Sequence, residues 1–131
     1  MTLAIIFSII GIHWIADFLM QDEKWALGKS KNWKDLLSHT ITYSLCFTIL
    51  LVFPVLFTIG FVGFFVFVKF LLITFVCHTA TDYFTSRVVS KMFAEKKYGS
   101  SIPNVGGFTV IGFDQVLHYV QLFLTFYYLL A

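Results

Sequence analysis

HWIADFLMQ, residues 13–21, sets a histidine and an aspartate four positions apart in a segment otherwise suited to lipid. The apolar stretch around it, roughly residues 2–20, meets the ~20 residues that a helix needs to cross about 30 Å of hydrocarbon. It has neither a basic leader nor a small-residue cleavage site, so it reads as a retained span rather than a signal peptide. Why a membrane segment carries such a pair becomes clear only from the other spans.

Three further apolar stretches run roughly over 36–54, 60–86 and 112–131. The 131-residue chain is 59% hydrophobic and 12% charged, with a mean hydropathy of +0.86, whereas an ordinary soluble domain carries about 25% charged residues. The spans must be helical, because a bilayer offers no water to open backbone groups. The expected fold is therefore all-α, an integral membrane four-helix bundle of two helical hairpins forming a single transmembrane domain over 1–131. FPVLFTIG, residues 53–60, predicts a tight turn over 54–60 through Pro54 and Gly60. YGSSIPNVGGFTVIG, residues 98–112, reads as a loop, either a lid over the site or a simple connection.

Eight of the nine basic residues lie between spans on one side: Lys24, Lys29, Lys31 and Lys34, then Arg87, Lys91, Lys96 and Lys97. The positive-inside rule makes that side cytoplasmic and puts both termini on the other, while Trp14, Trp25 and Trp33 fall near the cytoplasmic boundary like an interfacial belt. These charges also suit an anionic headgroup, though topology alone explains them. Lys69, the ninth, is too far from the histidines to join them and is expected to snorkel toward the far surface. Cys46 and Cys77 read as small buried side chains without a disulfide.

Every histidine has an aspartate four positions away: His13 with Asp17, Asp35 with His39, His78 with Asp82, Asp114 with His118. Chance would give roughly 0.3 such pairs. Residues i and i+4 share a helix face. Because alternate spans run in opposite directions, the reversed order in spans two and four puts each aspartate nearer the cytoplasm and each histidine about 6 Å deeper. HWIADFL followed by DLLSH is answered by HTATDYF followed by DQVLH, which suggests two repeated hairpins.

Charged residues in a span cost about 2.5–3.5 kcal/mol even on lenient scales, so such residues are usually paired and functional. Histidine and carboxylate are the ordinary ligands of zinc and suit manganese and iron. The expected ligands are His13, Asp17, His39, His78, Asp82, Asp114 and His118, enough for a two-metal centre with a bridging carboxylate. The competing reading is a hydrogen-bonded polar core that binds nothing. Asp35 is either a further ligand or the N-cap of the second span. Gln21, Tyr43 and Gln115 are candidates for hydrogen bonds that support the ligands. Asp17, Asp82 and Asp114 are candidate bases.

At these motifs the chain resembles a family known only as a domain of unknown function, small four-span membrane proteins of bacteria and their viruses. The resemblance rests on H-x-x-x-D-F-x-x-Q at His13, Asp17, Phe18 and Gln21, L-x-x-H ending at His39, H-x-x-x-D at His78 and Asp82, and D-Q-x-x-H at Asp114, Gln115 and His118. It covers essentially the whole chain, implies a bacterial inner membrane, and brings no established activity. More distantly the pairs look like those of membrane metal-dependent hydrolases and of all-helical zinc phosphodiesterases.

The leading expectation is a membrane-embedded, metal-dependent hydrolase of a phosphoester or lipid-linked substrate at the cytoplasmic leaflet. Transport of a divalent cation or protons, with a homo-oligomer supplying the path, is the first alternative. A non-enzymatic membrane factor with a structural metal is the second. The chain has no D-D-x-x-D prenyl diphosphate motif, no D-G-x-x-A-R run and no Walker-type loop, and nothing beyond scattered lysines suggests nucleic acid.

Overall fold

The computed structural model describes residues 2–52, 54, 61–94 and 105–130. Every regular element among the described residues is helical. Helix α1, Leu3–Leu19, is α-helical to Trp14 and ends in a π-helical turn, Ile15–Leu19. Thr2 caps it by accepting from the Ile5 amide. Helix α2, Glu23–Gly28, is a short surface helix, capped by the Asp22 side chain accepting from the Lys24 amide. Helix α3, Trp33–Val52, begins at an Asn32 cap and ends in a second π-helical turn, Thr48–Val52. Helix α4, residues 61–94, comprises Phe61–Phe84, a third π-helical turn Thr85–Val89, and Ser90–Ala94. Helix α5 is Val105–Leu130.

The boundaries depart from the sequence expectation. Helix α4 continues beyond 86, because hydropathy marks where lipid-like composition ends and not where backbone hydrogen bonding does. Helix α5 starts at Val105 rather than 112, so part of the expected 98–112 loop is helix and contains Gly106 and Gly107. A glycine costs a helix only about 1 kcal/mol, which the rest of α5 can outweigh. Residues 98–104, Lys96, Lys97 and the 54–60 turn except Pro54 lie outside the described residues.

Contacts fix the register. Tyr43 meets His13 while His39 meets Asp17, so α3 runs antiparallel to α1. Thr79 meets Thr40 and Phe70 meets Phe47 across α3 and α4. Thr85 meets Asp114 and Asp82 approaches His118 across α4 and α5, and Gln115 closes the ring onto Asp17 of α1. Neighbouring helices thus alternate in direction around one axis.

Four stripes of i, i+4 residues face that axis and stack in layers. Ile5, Ile9, His13 and Asp17 come from α1; Phe47, Tyr43, His39 and Asp35 from α3; Phe70, Thr74, His78 and Asp82 from α4; Phe126, Leu122, His118 and Asp114 from α5. All are buried except Ile5, which is half-buried. An apolar core around Ile9, Phe47, Phe70, Leu122 and Phe126 therefore underlies the histidines.

The outer surface is apolar. Phe7, Phe64, Leu72, Val76, Val116 and Leu124 are all at least half exposed. Trp33–Val52 and Gly63–Met92 are long and apolar enough to cross a membrane, and Leu3–Leu19 is a shorter apolar helix. Along the helices, hydroxyls of Ser44, Thr48 and Ser90 donate to carbonyls one turn back, so they carry no open hydrogen-bond donor.

Candidate metal centre

The i, i+4 spacing turns each histidine and its aspartate to the same face, and antiparallel packing brings the four faces to one level. His13, His39, His78, His118, Asp17 and Asp82 are almost fully buried. The Nε2 atoms of His39 and His78 are 3.1 Å apart. Asp17 Oδ1 stands 3.1 Å from His39 Nε2 and 3.9 Å from His78 Nε2; Asp82 Oδ2 stands 3.2 and 3.7 Å from the same atoms. Ligand arms of about 2.0–2.1 Å arranged tetrahedrally have edges of about 3.3–3.4 Å. The measured separations bracket that edge.

Asp17, His39 and His78 form one group able to hold a metal ion, His13, Asp17 and His118 a second, and His78, Asp82 and His118 a third. Asp82 Oδ1 and His118 Nε2 are buried without a hydrogen-bond partner among the described residues. Unsatisfied buried polar atoms cost about 1–3 kcal/mol each and more when charged, so a cation that pairs with them would lower the energy substantially. His78 Nδ1 is also buried without a partner, its ring instead stacking on Tyr43 at a centroid distance of 3.7 Å.

Around these atoms lies a supporting set. Tyr43 hydroxyl and His13 Nδ1 are 2.7 Å apart. The Gln115 carbonyl oxygen bonds His13 Nε2 at 2.6 Å, and its amide donates to Asp17 Oδ2 at 3.0 Å and to Asp114 Oδ2 at 3.3 Å. Asp114 accepts from the Thr85 hydroxyl at 2.5 Å and approaches His118 Nδ1 at 3.4 Å. Asp114 belongs to none of the three groups and instead sits behind His118, where a carboxylate orients an imidazole ligand.

Asp35 is not the helix cap. Asn32 is: its side-chain oxygen accepts from the Asp35 amide at 2.8 Å, and its amide donates to Asp35 Oδ2 at 2.6 Å. One residue three positions earlier reaches the free backbone N–H, and Asp35 then binds the cap, which holds it outside all three ligand groups. The Gln21 amide nitrogen is buried without a hydrogen-bond partner among the described residues. Cys46 and Cys77 are free thiols, and Lys69 is exposed.

Sequence reasoning missed three contributors. Thr85 lies one turn from Asp82, a spacing that could have flagged it. Lys29 counts in the sequence only as one of the topological charges, yet its ammonium donates to Asp82 Oδ2 at 3.1 Å. Burial opposes that charge, but Asp82, Asp17 and Asp114 outweigh it and raise the lysine above its ordinary pKa. Arg87 spans the same rim, donating to the Lys29 carbonyl at 3.3 Å with its guanidinium over the stacked rings of Trp33 and Tyr83.

The model of the family described as "Protein of unknown function (DUF3307)" matches residues 5–131. The chain belongs to this family. That match spans every residue of the cluster. No curated protein and no solved structure matches the chain.

Proposed function

We propose that this chain is a membrane-embedded, metal-dependent hydrolase acting on a phosphoester of a lipid-linked substrate at the cytoplasmic leaflet. The observation that carries this reading is the convergence of His39 Nε2, His78 Nε2, Asp17 Oδ1 and Asp82 Oδ2 at ligand-edge spacing. Zinc fits this nitrogen and oxygen set best, with manganese and iron next. A bound ion would supply a water whose pKa falls from 15.7 toward about 7 and would polarise the oxygen under attack. Asp114, outside the ligand groups and behind His118, would orient that imidazole toward the ion.

The membrane placement is supported by inverted polarity, with titratable side chains inside the bundle and large apolar ones outside. Buried charges beneath an apolar surface fit a bilayer, where such residues gather in the bundle interior. Lys29 and Arg87 lie at the aspartate end, which the positive-inside rule makes cytoplasmic. Phe47, Phe70 and Phe126 pack beyond the histidines, which favours a site open at one end over a continuous transport path.

A lipid substrate is supported by an apolar groove of about 370 Å³ between α3 and α4, lined by Leu37, Phe75, Val76 and Thr79 beneath Trp33 and Tyr83. An acyl chain lying there brings its anionic headgroup to Arg87 and Lys29, at the rim of the site.

Metal analysis of freshly purified protein in detergent tests the central idea. The parent is expected to retain stoichiometric metal and His78→Ala to hold less of it. Metal-free parent, prepared without chelator, would refute the reading.

A further inference from the structure

We infer that the cluster is a two-ion centre bridged by Asp17 and Asp82, with one cation position between His39 and His78 and the other between His13 and His118. This rests on the metal reading above and adds the number of ions and the role of each ligand.

Both carboxylates divide their oxygens between two poles. Asp17 turns Oδ1 toward His39 and His78 and Oδ2 toward His13, 3.8 Å from its Nε2. Asp82 turns Oδ2 toward His39 and His78 and Oδ1 toward His118, 3.6 Å from its Nε2. A single ion at the first pole would leave Asp82 Oδ1 and His118 Nε2 buried and unpaired. A second cation between them satisfies both.

The repeat in the sequence gives the same answer independently. Exchanging the hairpins maps His13 and Asp17 onto His78 and Asp82, and His39 onto His118. The first pole, His39 and His78 with both carboxylates, becomes His118 and His13 with both carboxylates. The two cation positions are therefore equivalents under an approximate two-fold axis passing between Asp17 and Asp82.

Each pole also carries hydrogen bonds where a cation would bind, and at the second the Gln115 carbonyl oxygen holds His13 Nε2, a contact that must break before this nitrogen can serve as a ligand. Lys29 donates to Asp82 Oδ2 at the first, and the Gln115 amide donates to Asp17 Oδ2 at the second. These groups pair with the carboxylates and would have to yield as ions enter. Three aspartates and one lysine give the site a net negative charge, which one divalent ion neutralises and two make positive. A net positive centre suits the anionic oxygens of a phosphoester, and two-metal sites hold both attacking and leaving oxygens in such displacements.

Titration of the metal-stripped full-length protein with Mn²⁺, followed by ion counting and electron paramagnetic resonance, tests this. The parent is expected to bind two ions per chain and to give an exchange-coupled spectrum, as ions about 3.5–4 Å apart do. His13→Ala and His39→Ala should each hold one ion with the spectrum of an isolated Mn²⁺, and Asp82→Asn combined with Asp17→Asn should hold none. One uncoupled ion in the parent would overturn the two-ion centre while leaving the metal reading intact; no ion at all would overturn both. The parent titration decides the matter even if a variant fails to fold.

Discussion

Lys29 shows how much a single side chain can govern in this site. Its ammonium binds an oxygen that also faces His39 and His78, so it competes with any cation there. Its raised pKa keeps the charge through neutral pH, and the pair would be lost only as pH rises beyond the ordinary lysine range. Two unit charges 4 Å apart repel by about 4 kcal/mol at an effective dielectric of 20. Lys29→Met is therefore expected to tighten metal binding at least about tenfold in competition with a chelator, and Lys29→Arg to leave it near the parent value. Acidification acts in the opposite direction, because imidazole ligands must be neutral, so metal affinity should fall steadily as pH drops. Gly28, one residue earlier, is fixed by space: a Cβ there would collide with the Asp35 carboxylate. Gly28→Ala should displace Asp35 from Asn32 and lower the thermal midpoint in detergent, at a cost of about 1–3 kcal/mol typical of overpacking; an unchanged midpoint would count against this close packing.

Among the elements, α4 ties the site to its supports. Its π-helical turn, Thr85–Val89, begins at the residue whose hydroxyl binds Asp114 on α5, and Asp114 stands behind His118. Removing a supporting group of this kind typically costs about 10–100-fold in metal affinity. Thr85→Val should weaken metal binding by about tenfold or more without removing it, and Thr85→Ser should restore it; equal losses in both would mean that packing, not the hydroxyl, matters. How much of this was readable follows from the same elements. The four i, i+4 pairs gave the helix faces, the shared depth and the convergence of histidines, because spacing of four means one face in any helix. Extending the same step beyond the pairs reaches Ile9, Tyr43, Thr74 and Leu122, so the core stripe was also present in the chain. Helix ends were less legible, since hydropathy does not register a polar turn that stays hydrogen-bonded, as at Thr85–Val89, and glycines read as loop can begin a helix, as at residues 105–112. The role of Asp35 depended on Asn32 three residues away reaching the open N–H first, and that of Lys29 on a contact between distant segments that no local pattern encodes.

At the scale of the whole molecule, polar groups gather at one end of the axis while apolar side chains cover the outside and fill the other end. The groove between α3 and α4 joins these two regimes: its floor is apolar, and its upper edge is the Trp33 and Tyr83 stack beneath Arg87. If a lipid chain occupies it, Arg87 should select the headgroup, since one basic side chain at an anionic surface contributes about 1 kcal/mol, or about fivefold in affinity. With Trp14 and Trp25 replaced by Phe, Trp33 reports directly on that groove. Phosphatidylglycerol carrying a brominated acyl chain should quench it at about fivefold lower lipid fraction than the matching phosphatidylcholine. Arg87→Gln should abolish that preference, Arg87→Lys should keep it, and Ala80→Phe, which adds bulk to the groove lining, should reduce quenching by both lipids. Equal quenching by the two lipids in the parent, or a preference that survives Arg87→Gln, would separate the groove from headgroup recognition and leave the metal centre without a lipid-selective entrance on this face.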